Sequence, residues 1–108
     1  MGVNKPLTDI DYEFLKELED LLYDRKDEMP QGSYTTTMFK KGLDKIAQKV
    51  GEEAIELVIE AKDNDSDLFK NEAADLLYHY LILLKMKEFT FADIEDVLKK
   101  RKKADNNV

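Results

Sequence analysis

The chain contains no cysteine and no tryptophan, and only four glycines and two prolines among its 108 residues. Without cysteine it cannot form disulfides, thiolate zinc sites or cysteine nucleophiles, and a reducing cytoplasm fits this composition. The N-terminal segment lacks the apolar core of a secretory signal, and no segment approaches the roughly 20 apolar residues of a membrane span. We therefore expect a cytoplasmic protein with no membrane partner.

Positive charge is also scarce. Lys and Arg number 17 against 24 Asp and Glu, which gives a formal net charge of −7. Such a surface repels phosphate backbones, so a nucleic-acid partner is not expected. Because 43% of the residues are hydrophobic, the chain has enough apolar material for one core, and we expect a single domain over residues 1–108 with its core at about 8–103.

Apolar residues recur at three- and four-residue spacing between the few glycines and prolines, which predicts an all-α bundle of four to five helices. Each predicted boundary rests on a capping residue or a helix breaker. In chain order the predicted segments are a helix from a Thr8 cap to about Arg25, a short segment from a Ser33 cap to Gly42, a helix from Leu43 to Lys62, one from a Ser66 or Asp67 cap to about Lys87, one from Thr90 to Lys103, and a frayed tail from Ala104 to Val108.

The run from Leu76 to Leu84 is apolar almost all round a helix. Such a helix must be covered on every side, which one small bundle can hardly do. We therefore predict that this helix also meets a second subunit, and that the bundle is completed in a homodimer.

Acidic residues are grouped on two of the predicted helices. Glu52, Glu53 and Glu56 lie on one edge of the longer helix before the turn, and Glu72 and Asp75 on one edge of the helix after it. Since only a short turn separates these helices, they should run antiparallel and bring both groups together. The resulting repulsion requires a counter-charge, and oxygen ligands without cysteine favour Mg²⁺ or Mn²⁺ and a phosphate-bearing substrate.

A solvated acidic face is the alternative interpretation, with Lys49 and Glu53 paired across one turn. Lys45 and Lys49 precede the acidic group on one helix face, where they could bind phosphate or be ordinary surface lysines. His79, the one histidine, lies within the apolar run and is expected to be a packed core residue rather than a catalytic base.

Several segments together closely resemble the phosphoribosyl-ATP pyrophosphatase family, within the all-α nucleoside triphosphate pyrophosphohydrolases that include MazG proteins and dimeric dUTPases. The resemblance covers about Ile10 to Lys103. The segments that carry it are Arg25-Lys26, Pro30-Gln31-Gly32-Ser33-Tyr34-Thr35, Gly42-Leu43-Asp44-Lys45-Ile46, Lys49-Val50-Gly51-Glu52-Glu53-Ala54-Ile55-Glu56 and Asn71-Glu72-Ala73-Ala74-Asp75-Leu76-Leu77-Tyr78-His79.

The resemblance implies Mg²⁺-dependent hydrolysis of 1-(5-phosphoribosyl)-ATP to 1-(5-phosphoribosyl)-AMP and pyrophosphate, the second step of histidine biosynthesis. By position it implies a catalytic group of Glu52, Glu53 and Glu56, with Glu52 a further ligand or the group that orients the attacking water. The implied metal ligands are Glu53, Glu56, Glu72 and Asp75. The implied substrate-binding residues are Arg25, Ser33, Tyr34, Thr35, Lys45 and Lys49.

Many members of this family are fused to a cyclohydrolase with cysteine-ligated zinc, and the absence of cysteine leads us to expect the stand-alone form. Two other hypotheses stay open. The same site could hydrolyse ordinary or damaged nucleoside triphosphates, as a house-cleaning enzyme does. A non-catalytic helical dimerisation module, with an acidic face that keeps it soluble, is the other.

Overall fold

The computed structural model describes residues 5 and 9–105, and within these it contains five α-helices and no β-strand, so the all-α prediction is confirmed. The helices are α1 (Tyr12–Glu28), α2 (Tyr34–Lys41), α3 (Leu43–Ala61), α4 (Ser66–Met86) and α5 (Phe91–Asp105). No described helix is both long and apolar enough to cross a membrane.

Two helix boundaries lie where the capping residues predicted them. The Ser33 hydroxyl accepts a hydrogen bond from the Thr36 N–H at 3.3 Å and so caps α2. Gly42 separates α2 from α3 with φ +91°, a left-handed conformation that favours glycine. The break between α2 and α3 therefore depends on Gly42.

Two predicted N-caps are wrong. The cap of α1 is Asp11, whose carboxylate accepts from the Phe14 N–H at 3.0 Å, while Thr8 lies outside the described residues. The cap of α4 is Asp65. Its carboxylate accepts hydrogen bonds from the N–H groups of Asp67 and Leu68, both at 3.1 Å. An extended backbone at Asp65 places its carboxylate there, whereas Ser66 is already helical.

The last helix begins one residue after its predicted start at Thr90 and ends two residues after its predicted end at Lys103. The Thr90 N–H donates to the Asp93 carboxylate at 2.9 Å, a capping hydrogen bond at the start of α5. At the other end, α5 continues through Ala104 to Asp105, where a frayed tail was expected, and residues 106–108 lie outside the described part.

The core lies where α4 crosses α1 and α2 and runs beside α3. α3 and α4 are joined by a short turn and pack antiparallel along much of their length. The α3–α4 pair thereby forms the frame on which the acidic residues lie. The buried apolar residues of the core are Leu22, Met38, Phe39, Ile46, Leu81, Ile82 and Leu84.

The apolar run of α4 is covered mainly by the chain's own helices. Leu81 and Ile82 are 0% exposed, and Leu77, at 37%, is the one residue from Leu76 to Leu84 in the exposed class. The prediction that this run needs a second subunit to cover it is therefore wrong for most of the run. The helices α1, α2 and α3 together surround the second half of α4. Exposed apolar side chains lie elsewhere, among them Ile55, Val58 and Ile59 on α3.

Candidate metal centre and substrate site

Three of the predicted metal ligands come together between α3 and α4. Glu53 and Glu56 project from adjacent turns of α3, and Glu72 faces them from the first half of α4. One carboxylate oxygen from each residue lies within 4.8 Å of the others. The short turn makes α3 and α4 antiparallel neighbours, and this arrangement brings these three side chains together as predicted.

The burial of this acidic cluster (Glu53, Glu56 and Glu72) differs from that of a solvated face. Glu53 is only 9% exposed, and Glu72 is half-buried. The Oε2 atoms of both are buried without a hydrogen-bond partner, as is Oε2 of Glu60 one turn beyond Glu56. Buried carboxylate oxygens are costly without a partner, so these atoms fit a site for a positive ligand.

The electrostatics of the cluster point the same way. Burial, followed by the hydrogen bonds and negative charges of Glu56 and Glu53, raises the pKa of Glu72 from 4.5 to about 7. Without a cation, the cluster therefore retains a proton near neutral pH. An all-oxygen donor set of this kind suits Mg²⁺ and Mn²⁺.

The two other predicted acidic residues lie outside the group of three. Glu52 is exposed and accepts a hydrogen bond from the Gln48 amide at 2.6 Å. Asp75 is exposed, one turn beyond Glu72 on α4, and its carboxylate is not part of the cluster. Their roles as ligand or water-orienting group stay predictions.

The basic residues of α3 lie on the same side of that helix as the cluster. Lys49 precedes Glu53 by one turn, Lys45 precedes Lys49 by one turn, and both are half-buried. No ion pair in the described part of the chain includes either lysine, so the expected alternative of a Lys49–Glu53 pair is not seen. The binding of phosphate by these two lysines stays a prediction.

A second group of predicted residues converges where α1, α2 and α4 meet. Ser33 has its hydroxyl at the α2 N-terminus, and the hydroxyls of Thr35 and Tyr78 are hydrogen-bonded. Burial raises the pKa of Tyr78, while the Thr35 hydrogen bond and the positive charge of Arg25 oppose that shift. Thr35 contacts Tyr78 and the charge of Arg25 acts on it, while Ser33 caps the helix that carries Thr35.

Tyr34 belongs to the same region through a contact that the sequence did not reveal. Its hydroxyl lies 3.0 Å from Nε2 of His79, whose Nδ1 lies 2.9 Å from the carbonyl oxygen of Asp75. His79 is indeed buried, as predicted, but it bonds at both ring nitrogens. The seven-residue spacing of Glu72 and His79 on one helix could have indicated that they share a face; nothing in the sequence indicated the Tyr34 contact.

The comparison with known proteins now decides the family. A model of the phosphoribosyl-ATP pyrophosphohydrolase family matches residues 15–102. The chain belongs to this family. The matched range includes every residue of the acidic cluster and all the predicted substrate-binding residues, so the resemblance stated from sequence motifs is confirmed.

Curated relatives of this family member are of two lengths. A histidine biosynthesis bifunctional protein HisIE of Bacillus subtilis is 53% identical over 87 residues, which is 81% of this chain but 42% of the relative. A phosphoribosyl-ATP pyrophosphatase of Clostridium acetobutylicum is 45% identical over 89 residues, 82% of this chain and 81% of the relative. The chain thus spans less than half of the bifunctional relatives and most of the shorter ones.

Proposed function

We propose that this family member hydrolyses 1-(5-phosphoribosyl)-ATP to 1-(5-phosphoribosyl)-AMP and pyrophosphate, the second step of histidine biosynthesis in the cytoplasm. Family membership and the names of the relatives support the substrate. The observation that carries the proposal is the acidic cluster, in which oxygens of three carboxylates lie within 4.8 Å of one another and those of Glu53 and Glu72 include a buried, unpartnered oxygen. Carboxylates on a solvent-exposed face would have no need to lie this close together.

The metal is part of the same proposal. Glu53, Glu56 and Glu72 would hold Mg²⁺, or Mn²⁺ in its place, and Asp75 would complete the set from the next turn of α4. When bound, the ion supplies positive charge that stabilises the phosphoryl oxygens and the departing pyrophosphate.

The remaining chemistry belongs to the side chains. Glu52, which precedes Glu53 on α3, would accept a hydrogen bond from the attacking water and orient it. The water oxygen bonds to phosphorus while the bond between the α and β phosphates breaks, and the water proton passes to a carboxylate. Lys45 and Lys49 hold the phosphate oxygens from the adjacent turns of α3. No covalent enzyme intermediate is required.

We also propose that two copies of the chain form a homodimer. Ile55, Val58 and Ile59 on α3 are 64%, 57% and 56% exposed. An open apolar concavity of about 300 Å³, lined by Leu57, Ala73, Leu76, Leu77 and Tyr80, lies between α3 and α4. Exposed apolar side chains and an open apolar concavity are typical of an interface, and a second copy is the occupant that the symmetric pairing of like faces favours.

Side-by-side assays distinguish the proposed activity from its rivals. We expect Mg²⁺-dependent pyrophosphate release from phosphoribosyl-ATP, with much slower release from the common deoxynucleoside triphosphates under the same conditions. Robust turnover of deoxynucleoside triphosphates without turnover of phosphoribosyl-ATP would support the house-cleaning hypothesis. A chain that turns over neither substrate with Mg²⁺ or Mn²⁺ would support the dimerisation module.

A further inference from the structure

Thr35 is one of the residues that the family resemblance assigns to the substrate, but its side chain has little access to a ligand. It is 7% exposed, and its hydroxyl is hydrogen-bonded to the Tyr78 hydroxyl on α4. The Tyr78 ring also stacks on Tyr34, the first residue of α2, with the ring centres 6.1 Å apart. The Thr35 hydroxyl is therefore used within the protein, as a contact between α2 and α4.

The backbone before α2 does little to fix where that helix begins. Met29 (φ +49°) and Gly32 (φ +82°) both turn the loop through left-handed conformations. α2 itself has eight residues, and a helix this short depends on its packing rather than on its own stability. The position of its first turn thus depends on the side chains that join it to α4.

Two hydroxyl contacts make this junction. One is the hydrogen bond between Thr35 and Tyr78, and in the other the Tyr34 hydroxyl lies 3.0 Å from Nε2 of His79. The second contact does not involve either hydroxyl of the first. Loss of the Thr35–Tyr78 hydrogen bond should therefore leave α2 folded and attached, but should give its first turn more freedom.

The junction lies at the edge of the proposed metal site. Tyr78 follows Asp75, a member of the proposed ligand set, by three residues, which is about 4.5 Å along the axis of α4. Burial raises the pKa of Tyr78, and the positive charge of Arg25 on α1 opposes that shift. Ser33 caps the same first turn of α2. The first turn of α2 is thus held beside two residues that the resemblance assigns to the substrate.

We propose that Tyr78 is a positioning residue that, through Thr35, holds the first turn of α2 and its Ser33 cap in the arrangement that binds substrate. The inference rests on the proposed function for its ligand. It assigns Thr35 to positioning rather than to substrate contact, and it gives a role to Tyr78, which the resemblance did not assign to the site.

The junction can be measured without substrate, by amide hydrogen exchange. The Thr37 N–H donates to the Ser33 carbonyl oxygen at 3.1 Å and reports on the first turn of α2. Tyr78→Phe and Thr35→Val each remove one hydroxyl and nearly keep the shape of the side chain, so each should speed exchange at Thr37 about fivefold. Thr35→Ser keeps the hydroxyl and should leave that rate near the wild-type value.

Kinetics with phosphoribosyl-ATP test the consequence. If fewer molecules hold the first turn of α2 in place, the apparent affinity for substrate falls in proportion, while the metal ligands are unchanged. Thr35→Val and Tyr78→Phe should each raise KM about fivefold and leave kcat near the wild-type value. Thr35→Ser should keep the wild-type KM. The double variant Thr35→Val/Tyr78→Phe should be no worse than either single variant, because the same hydrogen bond is lost in all three.

Tyr80→Phe is the matched control. Tyr80 also lies on α4, but its ring packs beside Phe91 of α5, with the ring centres 6.2 Å apart, so both KM and exchange at Thr37 should stay at wild-type values. Additive losses of Thr35→Val and Tyr78→Phe would show that Thr35 binds substrate directly and would overturn the inference, as would an unchanged KM or an unchanged exchange rate in Tyr78→Phe.

The two measurements also separate this inference from the function on which it rests. If the wild-type protein does not turn over phosphoribosyl-ATP, the proposed function fails and the role of Tyr78 in substrate binding fails with it, while hydrogen exchange still decides whether the pair holds α2. If the wild type is active and Tyr78→Phe keeps its KM, the inference alone fails.

Discussion

At the scale of single residues, the acidic cluster is where a proton would compete with the proposed cation. Glu53 and Glu72 each have a buried oxygen without a partner, and Glu72 has a pKa raised to about 7. A proton on Glu72 relieves the repulsion in the absence of metal, and a divalent ion relieves it more completely. Binding of the ion must therefore release a proton when the pH is below about 7.

This competition predicts how stability depends on pH. Since the pKa of Glu72 in the folded chain lies above its ordinary value of 4.5, its contribution to stability is fully present below about pH 4.5 and is lost as the pH rises through about 7. We expect thermal unfolding in a chelator to show a lower Tm at about pH 8 than at about pH 6. Added Mg²⁺ should raise Tm more at the higher pH.

Glu72→Gln is the control for that measurement. It removes the titrating group, so the difference in Tm between the two pH values should shrink and the Mg²⁺ effect should weaken. A wild-type Tm that rises between about pH 6 and 8 in the chelator, or an unchanged profile in Glu72→Gln, would contradict the assignment of the shift to Glu72.

Helical spacing was sufficient to predict part of the site and not the rest. Glu53, Glu56 and Glu72 share faces of neighbouring helices, and a short turn fixes which helices are neighbours. The Tyr34–His79 hydrogen bond joins residues 45 positions apart, and it depends on how α2 packs on α4. Side-chain periodicity within one helix carries no information about that packing.

At the scale of helices, Glu19 joins three of them. Its Oε2 lies 3.5 Å from Nζ of Lys85 on α4 and accepts the Phe91 N–H at the start of α5 at 2.7 Å. The Lys85 side chain is 0% exposed, and its Nζ lies 3.7 Å from the centre of the Tyr23 ring. Burial lowers the pKa of Lys85, and the negative charge of Glu19 opposes that shift.

Removing the charge of Glu19 should therefore destabilise the fold. Glu19→Gln can still accept the Phe91 N–H but leaves Lys85 buried without its ion-pair partner, and we expect a loss of about 3 kcal/mol in the free energy of unfolding. Denaturant titration measures it. Glu17→Gln, an exposed change on the same helix, should cost less than about 0.5 kcal/mol; equal losses in the two variants would contradict the account.

Helix ends were predictable where one residue type left little choice. Gly42, with φ +91°, and Ser33, beside a proline and a glycine, were identified correctly. Around the start of α4, four residues (Asp63, Asp65, Ser66 and Asp67) are of types that can act as caps, and the choice of Asp65 was missed. Which of several good caps is used depends on where packing begins the first turn, and that is a tertiary property.

At the scale of the whole molecule, the described chain is more extended than a compact domain. Its Cα radius of gyration is 15.7 Å, against about 13 Å expected for a compact domain of this length. α5 makes few contacts with the other helices, and α3 leaves Ile55, Val58 and Ile59 exposed. A single copy of the chain thus covers its apolar surface incompletely, as expected of half of a dimer.

The dimer hypothesis predicts the effect of a charge on that surface. Ile59→Lys should place an ammonium group within the interface and shift the protein from dimer to monomer at micromolar concentration, as measured by sedimentation velocity. Leu98→Lys, an equivalent change on α5 where Leu98 is 43% exposed, should leave the dimer intact. A wild-type monomer, or a dimer that Ile59→Lys does not weaken, would contradict the proposed interface.

The central claim is that carboxylates from α3 and α4 act together to hold a divalent ion that hydrolysis requires. The direct test is Mg²⁺-dependent pyrophosphate release from phosphoribosyl-ATP by wild type and by Glu56→Gln, with Glu95→Gln on α5 as the exposed control. We predict that Glu56→Gln loses roughly 100-fold or more in kcat/KM with its helical CD spectrum unchanged, and that Glu95→Gln keeps wild-type activity. Wild-type rates in Glu56→Gln, or full activity in a chelator, would contradict the account.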